Sequence, residues 1–267
     1  MKGTLLFFAL VGFSFGLWAQ DYALAQLENS SRHQEWVEVK YGDRVVHCFL
    51  VYPEVAENVP VVIVIHENRG LNDWARSFAD QVAGAGYIAI APDLLSGAGP
   101  NGGKTADFAN ADDARTALYE LKPEQVTADL RAVELYARSL SAGNGKTATI
   151  GFCWGGSQCF NFATNNENIK AAMVFYGTGP QNAEDYARIK APVYGFYGGN
   201  DNRVNSTIDA STTNMKAGSK FYEPVIYPGA GHAYMRSGDD PALSAEDPNK
   251  AARNASWERL KTILAGL

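Results

Sequence analysis

The sequence predicts an α/β fold, with a mostly parallel central sheet and helices on both faces. Three observations carry this. Short, continuous, β-branched apolar runs recur along the chain. Segments of helical period lie between them. The length of 267 residues and a 46% hydrophobic, 19% charged composition suit one globular domain.

In chain order, the apolar runs cover residues 45–52, 61–65, 87–91, 147–150, 171–176, 193–197 and 222–227, each short enough for a strand buried on both faces. The helical segments cover residues 74–83, 123–140, 154–164, 205–216 and 251–264. Pro123 opens the second of these, where a missing N–H and a fixed φ do no harm. Thr127, Leu130, Val133, Leu135 and Tyr136 follow it at helical spacing. Residues 96–113, SGAGPNGGKTADFANADD, break the alternation and follow the strand ending Ala91-Pro92-Asp93. A long aperiodic segment on the ligand side of such a sheet is expected to cover a substrate.

The first 20 residues are expected to be a secretory leader, with residues 21–267 forming a single domain. Lys2 gives a positive start, and residues 5–18 are apolar or small and uncharged, too short for a bilayer span. Cleavage after Gly16 has a better small-x-small pattern than cleavage after Ala19. A secreted or periplasmic location follows, with no stable membrane insertion once the leader is removed. Lys plus Arg number 23 and Asp plus Glu 29, a net charge of −6, which argues against a nucleic-acid partner. Cys48, Cys153 and Cys159 are too few for a disulfide scaffold. Cys153 and Cys159 lie six apart on one expected helix, about 9 Å along its axis, too far to bridge.

The chemistry concentrates at Gly151-Phe152-Cys153-Trp154-Gly155-Gly156, which directly follows one strand and opens a helix. That is the setting of a nucleophile elbow, a turn too sharp for side chains two positions either side of the nucleophile. Cys153 would sit at a helix N-terminus, where a thiolate is stabilised. Downstream, residues 193–197 run into Gly198-Gly199-Asn200-Asp201, and residues 222–227 run into Pro228-Gly229-Ala230-Gly231-His232. Nucleophile, acid and base in that order are the chain order of an α/β-hydrolase fold. His33, His47 and His66 are less well placed as base. The loop after residues 61–65, His66-Glu67-Asn68-Arg69-Gly70-Leu71, is expected to supply one oxyanion donor from the Asn68 backbone; Trp154 supplies the other. The histidines lack metal-site spacing and no phosphate-binding glycine motif is present, so neither metal nor cofactor is expected.

The segments HENRGL at 66–71, GYIAIAPDLL at 86–95, GFCWGG at 151–156, YGGNDNRV at 197–204 and PGAGHAYMR at 228–236 together resemble the dienelactone hydrolase (carboxymethylenebutenolidase) family. The resemblance implies a cysteine hydrolase of the α/β-hydrolase fold acting on a small ester or lactone. Its nucleophile, acid and base map onto Cys153, Asp201 and His232. An additional glutamate maps onto Glu67, and implies a thiol kept protonated until substrate displaces that carboxylate. Of two arginines that grip a substrate carboxylate, one maps onto Arg236. The other belongs just beyond APDL, where this chain has Leu95-Ser96-Gly97-Ala98, leaving Arg69 as a possible substitute. A peptidase or acyltransferase on the same scaffold, and a non-catalytic exported binding protein, stay open at this point.

Overall fold

The computed structural model describes residues 18–267. The expected leader lies outside the described residues except for its last three positions, which open helix α1 (Trp18–Glu28).

The helices follow as α2 (Asp73–Gly84), α3 (Ala111–Glu120), α4 (Pro123–Ser139), α5 (Trp154–Asn165), α6 (Asn202–Asn205), α7 (Ile208–Ala217), α8 (Tyr234–Ser237) and α9 (Pro248–Ala265). The strands are β1 (Gln34–Tyr41), β2 (Arg44–Val51), β3 (Val59–Ile65), β4 (Ile88–Pro92), β5 (Gly143–Phe152), β6 (Ala172–Phe175), β7 (Val193–Gly198) and β8 (Tyr222–Tyr227). They form one sheet in the order β1-β2-β4-β3-β5-β6-β7-β8. β2 runs antiparallel to both β1 and β4; every later pairing is parallel. This is the expected sheet, with an antiparallel edge added.

β3 shows why its sequence reads as a continuous apolar run. Val62 and Val64 point into a core shared with α1, α2 and α9, whereas Val61, Ile63 and Ile65 point into one shared with α4 and α5. With both faces covered, neither can be polar. The first core centres on Phe152, whose fully buried ring meets Phe78 at 4.6 Å and Trp74 at 5.1 Å, both near perpendicular. These rings clamp the residue immediately before Cys153. Two of the sequence expectations need correction. The helix expected over residues 205–216 is split into α6 and α7, because the Asp201 side chain caps a first short turn. Residues 96–113 are not structureless: they hold two 3₁₀ turns and the start of α3, whose N-terminus Asn110 caps by accepting from Asp112 and Asp113 N–H.

A candidate active site at the strand ends

β5 delivers Cys153 to the carboxyl rim of the sheet. Its backbone sits at φ 55°, ψ −115°, a conformation costly for any residue with a Cβ. It is held there by Cys153 N–H donating to Phe175 O at 3.0 Å and by Ser157 N–H closing the first helical turn on Cys153 O at 3.1 Å. The two flanking glycines are required by close approach rather than by dihedral freedom. A Cβ on Gly151 would lie 2.0 Å from Gly155 O, and one on Gly155 would lie 2.3 Å from His66 O. The elbow is therefore pressed between its own helix and the loop after β3.

The loops after β7 and β8 bring in the other two groups. Asn200 N–H donates to Ala230 O at 2.9 Å, tying the two loops together. His232 Nε2 lies 3.0 Å from Cys153 Sγ, and its Nδ1 lies 2.5 Å from Asp201 Oδ2. The 6% exposed Asp201 also accepts from Val204 N–H at 3.3 Å through its other oxygen. Groups separated by 79 and 31 residues in sequence thus meet in one line. A carboxylate on Nδ1 directs the imidazole lone pair at Nε2 toward the sulfur. Tyr176 packs against the imidazole with ring centroids 5.1 Å apart.

Glu67 lies beside this line but is not hydrogen-bonded to it. Its Oε2 accepts from Arg236 Nε at 2.8 Å and its Oε1 from Tyr176 OH at 3.3 Å. Arg69 is not its partner; that side chain is exposed. Burial, then the negative charge of Glu67, pushes the Cys153 thiol up to about 11, against the Trp154 N–H and the charge of Arg203, which pull it down. The sulfur is thus held as a neutral thiol at neutral pH.

A cavity of about 440 Å³ opens over the thiol, walled by Glu67, Asn68, Tyr119, Arg203, His232 and Arg236 among others. It gathers most of the residues expected from sequence: Cys153, His232, Glu67, Asn68 and Arg236. The Trp154 N–H faces the sulfur, as an oxyanion donor must. Arg69 is the exception. It lines a separate cavity of about 620 Å³ with Lys104 and Thr105, because the 66–71 loop turns it away after Asn68. The segment expected to cover the substrate borders that second cavity too, and only Tyr119 of α3 reaches the first. The segment is pinned: Thr105 donates its N–H and hydroxyl to the Asp93 carboxylate at 3.0 and 2.7 Å. His66 is a structural strut. Buried and kept uncharged by that burial, it donates from Nδ1 to Glu67 O at 2.8 Å and accepts Leu94 N–H at Nε2. Sequence reasoning missed Tyr176, Tyr119 and Arg203. Tyr176 ends an expected strand and Arg203 stands two places after the acid, and those positions were the available signals. Among the described residues, no cluster of three or more His, Cys, Asp or Glu is arranged to hold a metal ion, and no helix is long and apolar enough to cross a membrane.

A strained thiol at a strand-to-helix elbow, with imidazole and carboxylate arriving from later strand ends, defines a site of the α/β-hydrolase fold class. The chain belongs to the dienelactone hydrolase family, whose model matches residues 46–266. It is 35% identical over 216 residues to a "Putative carboxymethylenebutenolidase" of Escherichia coli (strain K12), covering 76% of this chain and 75% of the relative. A "Probable 2-oxo-3-(5-oxofuran-2-ylidene)propanoate lactonase" of Bradyrhizobium sp is 27% identical over 212 residues, 75% of this chain and 83% of that one. In fold, the chain is similar to the crystal structure of a "Putative Dienelactone Hydrolase" from Klebsiella pneumoniae, with a TM-score of 0.76 and 24% identity over 89% of this chain and all of that one.

Proposed function

We propose that this protein is a cysteine-dependent hydrolase of carboxylic esters or lactones that works through an acyl-enzyme. The observation that carries the reading is the contact line from Cys153 Sγ through His232 to Asp201, at 3.0 and 2.5 Å. Its relatives' names, a carboxymethylenebutenolidase and a lactonase, support the substrate class.

In this reading His232 Nε2 takes the thiol proton as sulfur attacks the carbonyl carbon. Asp201 holds the ring and balances its charge. The tetrahedral oxyanion is received by the backbone N–H groups of Trp154 and Asn68. Collapse of that intermediate breaks the bond to the alcohol oxygen, which takes the proton from His232. Water, deprotonated by the same imidazole, then splits the thioester and returns the proton to sulfur. Glu67 acts through its charge, holding the resting thiol protonated and so protected from oxidation.

Cys153→Ala is expected to abolish hydrolysis of small activated esters, and Asp201→Asn to lower it by roughly 10²–10⁴-fold, with both variants retaining the wild-type circular dichroism spectrum. Wild-type turnover by folded Cys153→Ala would end the assignment. We also propose export, on the leader-like composition of residues 1–20. N-terminal sequencing of protein recovered outside the cytoplasm is expected to start at residue 17 or 20; a start at Met1 would refute processing.

A further inference from the structure

The loop after β3 divides two cavities. Glu67 and Asn68 wall the one over Cys153, Arg69 and Leu71 wall the second, of about 620 Å³, and the two share no lining residue. The remaining walls of the second come from β1, β2, the start of α2 and the segment after β4. A volume of that size suits a small organic ligand.

In a chain of net charge −6, this cavity is walled by the basic side chains of His47, Arg69, Arg76 and Lys104, against the carboxylates of Asp73 and Asp93. Both carboxylates are already engaged. Asp73 pairs with Arg76. The buried Asp93 accepts from Leu95 N–H at 3.1 Å and from the Thr105 N–H and hydroxyl at 3.0 and 2.7 Å. His47 stands 4.0 Å from Glu38. That leaves Arg69 and Lys104, neither with an ion-pair partner among the described residues. The Lys104 ammonium lies instead 5.7 Å from the centre of the Trp36 ring. An ammonium on an indole face gains less than one hydrogen-bonded to an anion. Trp36 is 45% exposed, and Phe108 and Leu71 extend the apolar wall beside it. The backbone under the two cations is fixed, because Leu71 N–H donates to the Thr105 hydroxyl at 3.0 Å and so ties the loop that carries Arg69 to the segment that carries Lys104.

We propose that this second cavity is a binding site for an aromatic carboxylate, with the anion between Arg69 and Lys104 and the ring against Trp36 and Phe108. Lys104 exchanges the indole face for the carboxylate and frees that face for the ligand. Occupancy requires nothing of Cys153, so the site stands whether or not the thiol is a nucleophile.

The test titrates 2-naphthoate, its neutral counterpart 2-naphthamide and inorganic phosphate into the full chain near neutral pH, by isothermal titration calorimetry. The naphthoate is expected to bind about tenfold or more tightly than either of the others, since only it offers both charge and ring. Lys104→Gln is expected to weaken it about tenfold, and Lys104→Arg to restore most of that loss. Trp36→Leu is expected to weaken it about three- to tenfold. Arg236→Gln, which alters the other cavity, should leave the affinity at the wild-type value. Affinity lost in Arg236→Gln and kept in Lys104→Gln would put the probe over Cys153 and overturn the proposal. Phosphate binding as tightly as naphthoate would overturn it too, by reducing the site to a plain patch of charge. So would the absence of any naphthoate binding at millimolar concentration.

Discussion

The thiol of Cys153 is harder to deprotonate than a free cysteine because it is partly buried and because the negative charge of Glu67 lies near it. Replacing that carboxylate tests the second cause separately from the first. In Glu67→Gln the pH midpoint for iodoacetamide labelling of Cys153 is expected to move down from about 11, with faster labelling at pH 8. An unmoved midpoint would leave burial as the whole cause. The same shift has a sign for stability. A thiol whose folded pKa lies above the ordinary 9.0 favours the fold fully below pH 9, and that contribution is lost as pH rises through about 11. Wild-type melting temperature should therefore fall relative to Cys153→Ser across that window. At this scale the sequence was informative wherever a residue type has one chemical use. Cys153, Asp201 and His232 stand in loops directly after strands. Tyr176 escaped notice because an aromatic at a strand end reads as core, and nothing in its neighbours' spacing reveals the hydroxyl's contact with Glu67.

Among the elements, the elbow is the least tolerant. A methyl at Gly155 would meet His66 O at 2.3 Å and Ile65 O at 2.5 Å, both backbone atoms that cannot turn aside. Gly155→Ala is expected to lose about 3 kcal/mol or more in denaturant unfolding, because relief requires the start of α5 to separate from the end of β3 and the loop after it. A loss under about 1 kcal/mol would show that the elbow yields. Of the elements that went unseen in the sequence, α1, β1, α3 and α8, two show the physical reason. β1 alternates apolar with charged residues along an edge of the sheet, with only Val39 buried, so it lacks the continuous apolar run that marks its neighbours. α3 presents only Ala114 and Leu118 to the interior, too narrow a stripe to stand out from the Gly- and Asn-rich stretch before it. The longer helices and most central strands were legible to within three residues of their ends, whereas β5, expected over 147–150, runs Gly143–Phe152; its first four residues are not buried and carry no apolar run.

For the whole molecule, the N-terminal part is anchored by one buried charge. Asp80 on α2 is fully buried and accepts from Ser30, Arg32 and Gln34, with the Arg32 guanidinium bridging both its oxygens. Arg32→Met would strand that carboxylate, and is expected to destabilise the protein by about 3–5 kcal/mol in equilibrium unfolding. A change within 0.5 kcal/mol would show that Asp80 is satisfied by its neutral donors alone. Sheet order was not legible beyond its mostly parallel character, since strand neighbours are set by contacts between residues remote in sequence. The site's convergence followed from one rule, that ligands gather at the carboxyl ends of parallel strands. Sulfur, acid and imidazole hang from β5, β7 and β8, so the base arrives with the last strand of the sheet. A growing chain that has emerged only as far as α7 therefore carries its sulfur with no proton acceptor beside it. The arrangement of thiol, imidazole and carboxylate is therefore complete only once β8 and the loop after it have joined the sheet, which makes its assembly one of the last events in building the molecule.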